Sequence, residues 1–109
     1  MTASSSMKII RSREFTGDRA WAALDVANMN GVTVRLHWTD APYECHVNDG
    51  EEVFAVLDGS VDMHYRENGT EKVAALGAGD MFFAGTGCEH VAHPRGVARI
   101  LVIEKEGSL

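Results

Sequence analysis

The feature that most constrains this chain is a short β-type run followed by a glycine-bearing turn, recurring roughly every 8–12 residues. Residues 32–38 alternate, with Val32, Val34, Leu36 and Trp38 on one face and Thr33, Arg35 and His37 on the other. That is the pattern of a half-buried strand. Residues 51–57 are apolar on both faces after an acidic start, as suits a central strand covered on both sides. Asp58-Gly59 then supplies two-residue hairpin chemistry, because glycine tolerates positive φ. Residues 61–66 alternate again, Val61, Met63 and Tyr65 against Asp62, His64 and Arg66, and Asn68-Gly69 marks the next hairpin. Segments 71–76, 81–84, 89–93 and 97–105 continue the series, with turns at 77–80 and 94–96. Segments 8–15 and 21–29 are weaker strand candidates, and Thr16-Gly17-Asp18 is open to a short helical turn instead. The expectation is an all-β antiparallel sandwich or barrel of about nine or ten short strands, since closure removes vulnerable edges.

A chain of 109 residues has room for one core, expected over residues 7–109, with 1–6 as a disordered tail rich in serine. A net charge of −6 provides no basic footprint for nucleic acid and no attraction to anionic membranes. No apolar run approaches the roughly 20 residues that span a bilayer, and the opening lacks the apolar stretch of a signal peptide. A cytoplasmic location is therefore expected. Cys45 and Cys88 make no disulfide framework, so both are expected as free thiols.

Two stretches concentrate chemistry. In residues 45–59, His46 and Asn48 fall on the same face of one strand, because side chains repeat with period two. The Asp49-Gly50 turn reverses the chain and lets Glu52 return beside them. An imidazole, a second group and a carboxylate on adjacent strands can enclose a transition metal. In residues 79–94, Gly85 and Gly87 permit a tight bend just before His90.

These stretches resemble the paired motifs of the cupin superfamily. Its first motif is a histidine, a second histidine two residues on, a glutamate after a short spacer, and a closing glycine. His46, Asn48, Glu52 and Gly59 stand at those places. A spacer one residue longer would instead put Cys45 and Val47 in the ligand places; the shorter one keeps His46 on the pocket face. The second motif is matched by Gly79, Gly85, Gly87, His90 and Pro94, with Gly85 in place of a proline and Pro94 in place of an asparagine. The resemblance covers residues 32–104, roughly two thirds of the chain. It implies a cupin jelly roll, a small bacterial single-domain protein, and a homodimer. It also implies a metal set of His46, Asn48, Glu52 and His90 for Zn, Fe, Ni or Mn, with Glu52 and His90 as catalytic groups. Asn48 departs from the motif, and an amide is a weaker ligand than an imidazole.

Two functions follow. One is a metal-dependent enzyme acting on a small polar metabolite by oxygenation, isomerisation or decarboxylation. The alternative is a non-catalytic barrel that binds a small ligand without metal. A purely structural role is weaker, because a polar trio inside a barrel is costly without a use. Outside the motifs, His93 should face away from His90, and His64 should be solvated. His37 is open between pocket and surface, and Arg35 and Arg99 are open to holding a substrate carboxylate, with exposure the usual case for strand arginines. Cys45 and Cys88 read as small core thiols.

Overall fold

The computed structural model describes residues 6–43, the backbone of 46–47, and residues 50–106. Nine strands occur among them: β1 (Ala22–Met29), β2 (Val32–Thr39), β3 (His46–Val47), β4 (Glu52–Asp58), β5 (Ser60–Glu67), β6 (Thr70–Gly77), β7 (Met81–Ala84), β8 (Glu89–Pro94) and β9 (Ala98–Lys105). They form two antiparallel sheets, one ordered β1-β2-β9-β4-β7 and the other β3-β8-β5-β6. The sheets face each other as a jelly-roll sandwich, the predicted fold class. Among the described residues no helix is long and apolar enough to cross a membrane.

The turn chemistry sets the hairpins. Asn68 and Gly69 hold φ of 52° and 77°, the paired positive values of the turn whose twist matches its flanking strands. Their hairpin registers Glu67 against Thr70 and carries β5 and β6 in step to Ser60 and Gly77. Asn30 and Gly31 (φ 55° and 86°) do the same between β1 and β2, a signal of the same kind.

Between the sheets lie Phe54 and Val56 of β4, Val61 and Met63 of β5, Ala92 of β8, and Ala98, Ile100 and Val102 of β9. Every second residue of each strand enters this layer, and each large side chain contributes about 1.5–3 kcal/mol on burial. The other face of β4 is not closed over. Leu57 is exposed, and on the neighbouring edge strand β7 Met81 and Phe83 are 70% and 60% exposed. The expected double-sided burial of segment 51–57 is thus only half realised.

Segment 8–15 is not a strand. It has no ladder partner among the described residues and contains a 3-10 turn at Ser12–Glu14, upstream of the helical turn considered at 16–18. Arg99 holds this stretch against the sheet. Its Nε donates to the Phe15 carbonyl at 2.8 Å, one terminal nitrogen reaches Thr16 Oγ1 at 3.3 Å, and the other pairs with Asp58. Arg99 is therefore a part-buried clamp and not a surface arginine. Of the tail expected over 1–6, only Ser6 lies within the described residues.

Candidate functional site

Cross-strand register decides which face of each strand enters the barrel. On β9 the inward residues are Ala98, Ile100 and Val102, and the ladder pairs them with Thr39, His37 and Arg35 of β2. The polar face of β2 therefore joins the inner side, while Val34 and Leu36 are buried on the opposite side. Glu52, Phe54 and Val56 pair with Glu104, Val102 and Ile100, so two carboxylates, Glu52 and Glu104, stand opposite one another on that inner side. In the other sheet His90 pairs with His46 on one flank and Tyr65 on the other.

Glu52 and His90 meet inside. Glu52 is 5% exposed and His90 1%. Glu52 Oε1 lies 2.8 Å from His90 Nε2. The ring is boxed by Phe54 in an edge-to-face contact at 5.4 Å and by Phe82 at 6.1 Å. Its Nδ1 lies 3.1 Å from the Cys88 carbonyl oxygen. A carbonyl only accepts, so Nδ1 carries the hydrogen and donates it. In the neutral ring Nε2 is then an acceptor, yet it faces a carboxylate oxygen. Two acceptors hold that distance only with a positive charge supplied: a proton on Nε2 or Oε1, or a cation shared by both.

Of the four residues expected to hold a metal, the fold thus brings Glu52 and His90 into contact. The backbone of His46 is registered opposite His90. Asn48 and Cys45 lie outside the described residues. No group of three metal-ligating side chains is assembled among the described residues. Cys88 forms no disulfide, and burial pushes its thiol up from its ordinary value, which disfavours a reactive thiolate.

The remaining polar residues sort by face. His93 turns away from His90, as expected, and stacks on His64 with ring centres 4.1 Å apart. His64 is less solvated than anticipated, at 32% exposure, with Nδ1 3.8 Å from Glu71. Arg35 pairs with Asp25 at 2.8 Å on the inner register but with its side chain half exposed. His37 is buried enough to lower its pKa below the ordinary histidine value; a hydrogen bond to the Trp21 backbone and the charge of Glu52 act in the opposite sense. Its place in the barrel, with that of Glu104, was not legible in the alternation of β2 and β9. Only pairing to an inward strand settles it.

Two packed antiparallel sheets form a jelly roll with a histidine–glutamate contact facing inward. No family model matches the sequence, and neither does any curated protein. Solved structures do match. A cupin-2 domain protein from Shewanella frigidimarina is 25% identical, covers 83% of this chain and 85% of its own, and superposes with a TM-score of 0.73. A cupin superfamily protein from Desulfitobacterium hafniense is 11% identical over 94% of both chains, with a TM-score of 0.76. Oxalate decarboxylase from Bacillus subtilis, solved in work on its Mn(II) centres, is 18% identical over 71% of this chain but 22% of its own, with a TM-score of 0.64. The chain thus has the cupin fold and is similar to small bacterial cupin-domain proteins.

Proposed function

We propose that the protein is a small-molecule cupin whose pocket holds a divalent transition metal through Glu52 and His90, with His46 and Asn48 completing the set. In this reading it acts on a small polar metabolite by oxygenation, isomerisation or decarboxylation. The observation that carries the reading is the 2.8 Å contact of two buried acceptors, His90 Nε2 and Glu52 Oε1. Donors at that separation suit two neighbouring ligands of one ion, each about 2.0–2.2 Å from it. The Cys88 carbonyl supports the same role, since it favours the tautomer whose Nε2 lone pair can ligate.

Such a metal, when bound, supplies Lewis acidity or a site for dioxygen. The chain's own residues do the rest. Phe54 and Phe82 keep water from the His90 ring, which strengthens every charge interaction there. Where no metal is bound, Glu52 Oε1 is instead placed to accept or return a proton beside His90. His90 is held in one orientation at both nitrogens, so the pair needs little rearrangement on binding.

The second reading, a ligand-binding barrel without metal, is favoured by Asn48, which stands where the motif carries its second imidazole. Elemental analysis of the purified protein separates the two. About one transition metal per chain, lost in His90→Ala, is the expected result; metal-free protein that still binds a small molecule would establish the second reading instead.

The proposal extends to a homodimer, supported by the apolar surface of Leu57, Met81 and Phe83 on β4 and β7. Light scattering at micromolar concentration should give twice the chain mass, and a monomer there would refute it.

A further inference from the structure

Trp21 Nε1 and His37 Nδ1 are buried, and neither has a hydrogen-bond partner among the described residues. Buried polar atoms are rarely left so, and each such atom asks for an explanation. Here the two belong to adjacent rings, packed edge to face with centres 5.6 Å apart. Trp21 also meets Tyr43 at 5.7 Å and packs against the barrel core.

The backbone that presents Trp21 is unusual. Its φ is 60°, the left-handed region that bulky side chains avoid. Such strain persists where surrounding structure enforces it, and it collects at ligand sites. In this case it turns the indole onto the core, beside the inner row of β2.

The chemistry of the two atoms is complementary. Indole Nε1 is only a donor. Burial favours the neutral form of the His37 ring. A neutral imidazole that donates from one nitrogen accepts at the other. The unpartnered Nδ1 thus offers either a lone pair or a donor, on the ring next to the one with the unpartnered indole N–H. A hydroxyl group both accepts and donates, so one hydroxyl answers both. The aromatic wall of Trp21, His37 and Tyr43 suits a ring to carry it. Strand register places His37 and Glu52 on the same inner side of one sheet.

We propose that Trp21 and His37 form a hydroxyl-recognition subsite of the barrel pocket, selecting a ring compound that carries a hydroxyl group. The proposal rests on the small-molecule reading of that pocket and names its ligand class. Such a ring is phenolic or sugar-like, and the probes distinguish them.

The experiment titrates nitrogen-15-labelled protein with phenol, fluorobenzene and myo-inositol, following the two indole N–H signals, Trp21 and Trp38. Trp21→Phe assigns them. The Trp21 signal should move downfield with a hydroxylated ring. Affinity for that ring should exceed that for fluorobenzene at least about tenfold. Trp21→Phe and His37→Phe should each erase this preference while fluorobenzene affinity stays within about twofold. A response to phenol alone supports a phenolic ligand, and one to myo-inositol a sugar-like ligand. If neither moves the Trp21 signal, or if both variants keep the preference, the proposal is overturned. The wild-type signal carries the test even where a variant folds poorly. A protein without metal that keeps the preference refutes the metal reading alone; one with metal and no preference refutes this subsite alone.

Discussion

Alanine at Gly59 is expected to destabilise the fold by about 3–5 kcal/mol, among the largest effects of a single small substitution. Gly59 joins β4 to β5 at φ 79°, a conformation that costs an L residue about 1–2 kcal/mol. The larger part is steric. A Cβ there would lie 2.3 Å from the Val97 carbonyl oxygen and 3.1 Å from Ala98 Cα, both backbone atoms. Relief requires moving the start of β9, the strand that pairs with both β2 and β4. Gly69→Ala is the matched control: its φ is 77°, and nothing lies within 4 Å of its added Cβ. It should lose only about 1–2 kcal/mol. Urea midpoints of the two variants measure the difference, and equal losses would refute the clash. This glycine also closes the first of the two motifs that resemble cupins, and the close approach to Val97 gives that position a physical reason.

Glu52→Gln should remove metal while sparing the fold. Nδ1 of His90 donates to the Cys88 carbonyl, so a neutral ring presents an acceptor at Nε2. A glutamine amide can donate to that nitrogen and keep the buried contact, whereas the carboxylate needs a proton or a cation there. Metal affinity should fall by more than the about 10–100-fold that loss of an outer partner costs, since a charged ligand is gone. Glu52→Ala should lose the metal as well, and about 1–3 kcal/mol of stability, by leaving His90 buried without this partner. Competition against a chelator gives the affinities and thermal unfolding the stabilities. Unchanged metal content in Glu52→Gln would remove Glu52 from the ligand set.

Strand positions were readable because period-two alternation and turn dipeptides are local. Segments 61–66, 71–76 and 81–84 fall within β5, β6 and β7, and Asn68-Gly69 makes the hairpin it implies. The N-terminal segment misled. Residues 8–15 have strand-like composition, but pairing depends on a neighbour, and that stretch finds Arg99 instead of a ladder. Similarly, the alternation of β2 defined two faces without saying which turns inward. The structure turns the face of His37 inward and buries Val34 and Leu36 on the opposite side. Around Gly17 the chain passes so close to the sheet that a Cβ would lie 2.4 Å from Ala22 and 3.0 Å from Trp38.

From residue order alone came the all-β class, the hairpin sites and the spacing that marks His46, Glu52 and His90, because each depends on neighbours along the chain. Three things waited on the packed sheets: that Glu52 touches His90, that His37 and Glu104 stand on the same inner side, and that Trp21 folds onto it. Each depends on register between strands far apart in sequence. Register is set by which hydrogen-bond ladders close the sandwich, and alternation within a single strand carries no information about that choice.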